Sequence, residues 1–294
     1  MKKIVILAAL CLLLVSCSLP FTINWNTATP ELIGPPETQA PTAAPQEDTP
    51  VPISTLPFAG TEYNLGGVYM VVPECLAAVP SGVIVPAVPY DEMGGPMEYY
   101  PQHRKITFTD YPLSGKFFEP MIRVYPVAAY TAMHESIVSR VSDMQTLLSL
   151  QDANPAHIAF LPQFNAAHVF RAHIGYFPFQ NGSGVRFLTE YAQYYAPVNN
   201  YDLFYTYQGL TTDGLYWVSA IFPVNAPWLQ ETWNSTVVPV DGVPATAMDS
   251  PNLEADMNAY YVTMLDRLNT ADAEGFTPST LCLDQFMQSL QISD

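Results

Sequence analysis

From Ala153 to Thr189 the chain holds no Asp or Glu, yet the stretch carries His157, His168, Arg171, His173 and Arg186. An arginine pair offers planar, bidentate donors suited to a carboxylate or a phosphate. A neighbouring imidazole adds charge below its reference pKa of about 6.5. If Gly182-Ser183 is a two-residue hairpin loop, Arg186 faces Phe179 and shares a strand face with Arg171 and His173, and Glu190 and Tyr194 fall on that face too. The expectation is a cationic patch of Arg171, His173 and Arg186 that receives an anionic ligand or an acidic protein segment. The plainer alternative is a solvated polar face whose arginines are balanced by Glu190 and the acidic helices. One bulge in either strand undoes the patch.

Other chemistry is harder to place. Gly182-Ser183-Gly184 is not the G-x-S-x-G elbow and reads as a hairpin turn. His134-Glu135 lacks the second His of H-E-x-x-H. There is no P-loop, and no G-x-G-x-x-G follows a strand. On a strand His168 and His173 point to opposite faces, which argues against a shared metal. No catalytic residue, metal site or cofactor is expected. Tyr191, Tyr194, Tyr195, Tyr201, Phe204, Tyr205 and Tyr207 crowd a short stretch. Exposed rings could stack on a ligand, but core packing is favoured, because aromatic residues are what strands bury.

The elements that position these residues belong to an α+β fold. Gly67–Val72, Arg104–Thr109 and Met121–Val127 read as strands, and Val83–Val88 is a further apolar run. Tyr130, Met133, Ile137, Val141, Met144 and Leu148 then recur at helical spacing, up to Asp152-Ala153-Asn154-Pro155. Two hairpins follow. One pairs His168–Phe179 with Val185–Gln193 around Asn181-Gly182-Ser183-Gly184. The other pairs Leu203–Leu210 with Leu215–Val224 across Thr212-Asp213-Gly214. Together they predict a four-stranded antiparallel meander over about 166–224, covered by helices. After a polar loop over 225–250, one helix buries Leu253, Met257, Tyr260, Tyr261, Met264, Leu265 and Leu268. A last one, with Thr277 as N-cap and Pro278 at its first position, buries Leu281, Phe286, Met287 and Leu290 and leads toward a closing strand at Gln291-Ile292. This order resembles the PsbP-like α/β/α sandwich, and the Asn-Gly-Ser-Gly and Asp-Gly hairpins resemble those of bacterial lipoproteins. Neither resemblance implies an activity.

The N-terminus carries an address. Lys2 and Lys3 precede an apolar run from Ile4 to Val15, shorter than the ~20 residues a spanning helix needs. The run ends in Leu14-Val15-Ser16-Cys17, which resembles the lipobox of bacterial lipoproteins. The resemblance implies export, removal of a signal peptide over 1–16 and lipidation of Cys17, so that the protein is held at the extracytoplasmic face of the cell membrane. The alternatives are an uncleaved anchor or an ordinary signal peptide. Pro20 to Pro57 holds nine prolines and seven threonines, which predicts an extended, disordered tether over 17–60 ahead of a single domain over 61–294. With Cys11 removed and Cys17 lipidated, Cys75 and Cys282 remain. In an exported domain they suggest a disulfide, with two separate buried thiols as the alternative.

The whole chain has 10 basic and 27 acidic side chains, net −17. Without the two leader lysines the balance is 8 to 27, net −19. A nucleic-acid partner is excluded on charge, and an anionic membrane surface repels the body, so membrane contact is expected through the lipid alone. Three functions fit: a tethered, non-catalytic binding or interaction module; an exported hydrolase with a site assembled from distant residues; and a structural envelope lipoprotein. An open cationic or apolar groove favours the first, and convergent buried titratable groups favour the second.

Overall fold

The computed structural model describes residues 58–95, 99–246 and 249–294. The expected signal peptide over 1–16, Cys17 and nearly all of the Pro/Thr-rich stretch lie outside them. No helix among the described residues is long and apolar enough to cross a membrane.

The domain is α+β and antiparallel throughout its main sheet. In chain order the strands are β1 (Gly60–Leu65), β2 (Val68–Pro73), β3 (Val79–Val85), β4 (His103–Thr109) and β5 (Met121–Pro126). Helices α1 (Val127–Thr131) and α2 (Glu135–Leu150) follow. Next come β6 (Ala167–His168), β7 (Ala172–Phe179), β8 (Gly182–Thr189), β9 (Tyr191–Ala192), β10 (Phe204–Thr211) and β11 (Tyr216–Pro223). Helices α3 (Leu253–Thr270) and α4 (Thr280–Gln288) and strand β12 (Gln291–Ile292) close the chain. The main sheet has seven strands in the order β3-β4-β5-β11-β10-β8-β7. The expected meander is its β7-β8-β10-β11 half. A smaller sheet orders β1-β2-β12, so the closing strand pairs with the second strand of the domain.

Both faces of the seven-stranded sheet are covered. On one, β2, α3 and α4 pack over Leu188, Tyr205, Tyr207, Val218 and Phe222. On the other, α2 and residues 158–161 pack over Val185, Phe187, Phe204 and Trp217. The alternation of strand side chains explains the division, since neighbours such as Phe187 and Leu188 must face opposite ways. Cys75 and Cys282 are joined, with Cα atoms 6.2 Å apart, and the bridge ties the turn after β2 to α4.

Several expectations need correction. The first helix breaks at Ala132–His134, and the His134 ring caps the second part by accepting from the Ser136 amide at 3.1 Å. The edge strand covers Val79–Val85 and takes in only the first part of the Val83–Val88 apolar run. Thr277-Pro278 is a cis peptide ahead of α4, whose N-cap is Ser279, accepting from the Cys282 amide. Leu281 is exposed.

The β7–β8 turn is Gln180-Asn181, not Gly182-Ser183, so Arg186 lies opposite Gly175 rather than Phe179. The glycines serve the strand instead of the turn. A Cβ on Gly182 would lie 2.4 Å from the Leu210 carbonyl oxygen, and one on Gly184 would lie 2.4 Å from the Tyr207 ring. Only glycine lets these surfaces approach so closely.

Candidate functional site: a cationic cleft

The register slips between Ala172 and Gly175, where His173 adopts a left-handed φ of 53°. A bulge inserts one residue and re-aims the side chains before it. Arg171 therefore leaves the face that His173 and Arg186 share. Arg186 instead bonds His173 Nδ1 at 3.2 Å and pairs with Asp284 of α4 at 3.2 Å. His173 donates through Nε2 to the Ala271 carbonyl at 3.0 Å, so its Nδ1 is the acceptor and the ring is neutral. Burial, and then the Arg186 charge, lower its pKa. Arg171, His173 and Arg186 are not one patch: two of them form a neutralised cluster under α4, and Arg171 works elsewhere.

Arg171 lines a cleft of about 380 Å³ on the α2 face, together with Arg140, His157, His168 and Tyr191. Phe160 and Phe164 supply its apolar wall. Arg140 borders the buried stripe of α2, three residues after Ile137 and four before Met144, and its stem reaches over the cleft. His157 and the phenylalanines come from the long connection between α2 and β6. That connection is held down by burial of Ile158, Phe160 and Leu161 and by the Leu161 amide, which donates to Gln208 Oε1 at 3.3 Å. His168 and Tyr191 are a cross-strand pair of β6 and β9.

Both imidazoles are neutral, and His157 accepts through Nε2. Arg140 donates to His157 Nε2, and the Tyr191 hydroxyl and His168 Nε2 share a hydrogen bond. Burial lowers the pKa of His168 to about 3, and Arg171, His157 and Arg140 push it the same way. Burial and Arg140 lower that of His157, against the opposing charge of Asp143. At neutral pH the positive charge of the cleft is that of its two arginines. No carboxylate lines it. Among the described residues the carboxylate ion pairs are Lys116–Glu231 and Arg186–Asp284, so neither Arg140 nor Arg171 is neutralised this way.

No protein-family model, curated protein or solved structure matches this chain. Function rests on the atoms of the site itself.

A second cavity, also about 380 Å³, shares Phe164, Ala166 and Tyr191 with the cleft and is lined further by Phe117, Phe118 and Tyr194. Glu190 and Asp202 also line it. The crowded aromatic stretch thus divides. Phe204, Tyr205 and Tyr207 are buried as expected, whereas Tyr194 and Tyr195 are exposed beside the cavities. The acid-free window pointed to Arg171, His157 and His168. It missed Arg140, which lies on a helix outside the window; the only trace was a lone basic residue beside the apolar stripe of α2.

Proposed function

We propose that this chain is a lipid-tethered extracytoplasmic protein whose body is a non-catalytic binding module for an anionic group carried on an apolar or aromatic stem. The observation that carries the reading is the convergence of Arg140 and Arg171 on one cleft with no carboxylate in its lining, in a chain of net charge −17. Elsewhere the field of the body repels anions, so an anion is focused where two guanidinium groups stand together. Each guanidinium offers paired donors to a carboxylate or phosphate. His157 and His168, as neutral rings, hold Arg140 and Tyr191 in place rather than adding charge. Phe160, Phe164 and Tyr191 provide the surface for the stem.

Lipidation at Cys17, with membrane contact through the lipid alone, is part of the same proposal and rests on the Leu14-Val15-Ser16-Cys17 resemblance. The PsbP-like likeness enters only as layering, with helices on both faces of an antiparallel sheet and a last helix leading into a closing strand.

The test is calorimetric titration of the full chain with phenyl phosphate at rising salt. Binding that weakens steadily with salt, and about tenfold in Arg140→Ala, supports the reading. Salt-independent binding, or an unaffected Arg140→Ala, overturns it.

A further inference from the structure

The second cavity has the opposite electrostatic character. Glu190 lies between β8 and β9, is 1% exposed, and its Oε1 has no hydrogen-bond partner. Its Oε2 receives one long bond, 3.4 Å, from the Asn199 amide. Asp202, half-buried beside it, accepts from Asn199 Nδ2 at 2.9 Å. No basic side chain lines the cavity. Glu190 also lies near the hydroxyls of Tyr260 and Tyr261 on α3, which bond the backbone at Val198 and Ala196, and shares the cavity with Tyr191 and Tyr194. Burial first, and then the charge of Asp202, push the Glu190 carboxyl well above the usual carboxylate range. Two carboxyl groups thus sit together with no cation between them, and one retains an unused acceptor.

The remaining walls are aromatic: Phe117, Phe118, Phe164, Tyr191 and Tyr194. Ring faces carry negative quadrupole potential and attract a cation, most strongly where water is excluded. A neutral apolar guest would use the rings and leave the Glu190 acceptor unsatisfied. An anion would meet Asp202. A cation on an apolar stem satisfies both, and the strongly acidic body draws cations toward it.

We propose that this cavity is a binding site for an organic ammonium group, held between the aromatic walls and the Asp202 carboxylate with Glu190 behind it. The site is separate from the anion cleft, and its test does not depend on that reading. Tyr191 and Phe164 line both cavities, so neither is varied.

The experiment compares phenethylammonium with its neutral analogue 2-phenylethanol by calorimetric titration of the full chain. The expected result is at least tenfold tighter binding of the ammonium, with the preference lost in Asp202→Asn at unchanged thermal melting. Phenyl phosphate affinity, read on the same samples, stays as in the wild type. Equal affinity for the two probes, no binding of the ammonium, or a preference that survives in Asp202→Asn overturns the proposal. Should Asp202→Asn fail to fold, Tyr194→Ala replaces it, because that side chain is exposed and its loss leaves the core intact. There a several-fold loss of ammonium affinity is expected, and an unchanged affinity overturns the proposal.

Discussion

Arg171 and Arg186 have the same charge and opposite fates, and what surrounds each decides which. Arg186 is largely buried against Asp284, whose other oxygen accepts from the Tyr205 hydroxyl at 2.9 Å. Burial raises Asp284 to about 6 even with Arg186 beside it. An unfolded aspartate titrates near 3.9, so the folded state holds this proton more tightly. The stability contributed by that tighter binding is present in acid and is lost as pH rises from about 4 through about 6. Urea unfolding of the wild type and Asp284→Asn should therefore diverge. Between pH 4 and pH 7.5 the wild type loses up to about 3 kcal/mol relative to the variant. A difference that is flat in pH would contradict this account of Asp284. Arg171 has no such partner among the described residues, so its charge remains available to a ligand.

At the scale of elements, the bulge at the start of β7 and the α2–β6 connection build the cleft. Gln208 on β10 fastens that connection. Its Oε1 accepts from Trp217 Nε1 at 2.9 Å and from the Leu161 amide, while its Nε2 donates to Thr206 and Ser219. Gln208→Leu leaves two buried donors without an acceptor and is expected to cost about 2–4 kcal/mol in urea unfolding. A variant as stable as the wild type would show that the connection is held by apolar packing alone. Most of the layering was legible in the sequence, because hydrophobic period and turn chemistry act locally: the meander, the Asp213-Gly214 turn, the α3 stripe and the closing strand all read directly. The cleft was legible only in half. His157, His168 and Arg171 stood out by the missing acids around them, but their grouping depended on a bulge at His173, whose amide donates to Asn269 Oδ1 and whose ring bonds the Ala271 carbonyl and Arg186. Asn-Gly misled for a related reason. Gly182 and Gly184 answer to rings and carbonyls on β10 and β7, which are tertiary neighbours that no local pattern reveals.

Across the whole molecule, a disulfide and a charge imbalance act together, with the proposed lipid anchor as the tether. The Cys75–Cys282 bridge spans 207 residues of sequence, a loop long enough that chain entropy assigns it about 5 kcal/mol. Replacing both cysteines with alanine should lower stability by about 2–5 kcal/mol, and an unchanged denaturation midpoint would show that the bridge contributes little. If Cys17 carries lipid, Cys17→Ala leaves a larger, unlipidated precursor and releases or mislocalises the protein; unchanged size and membrane association would remove the anchor from the account. The chain is strongly acidic, net −17, so where its few cations stand determines what it can hold. Lys105 and Arg123 face one another across β4 and β5, whereas Arg140 and Arg171 meet in a cavity with an apolar wall. The most direct measurement compares phenyl phosphate affinity in Arg171→Ala and Lys105→Ala, two variants that each remove one positive charge. The cleft predicts a loss of about tenfold or more for Arg171→Ala and less than twofold for Lys105→Ala; equal losses, or none in Arg171→Ala, would contradict it.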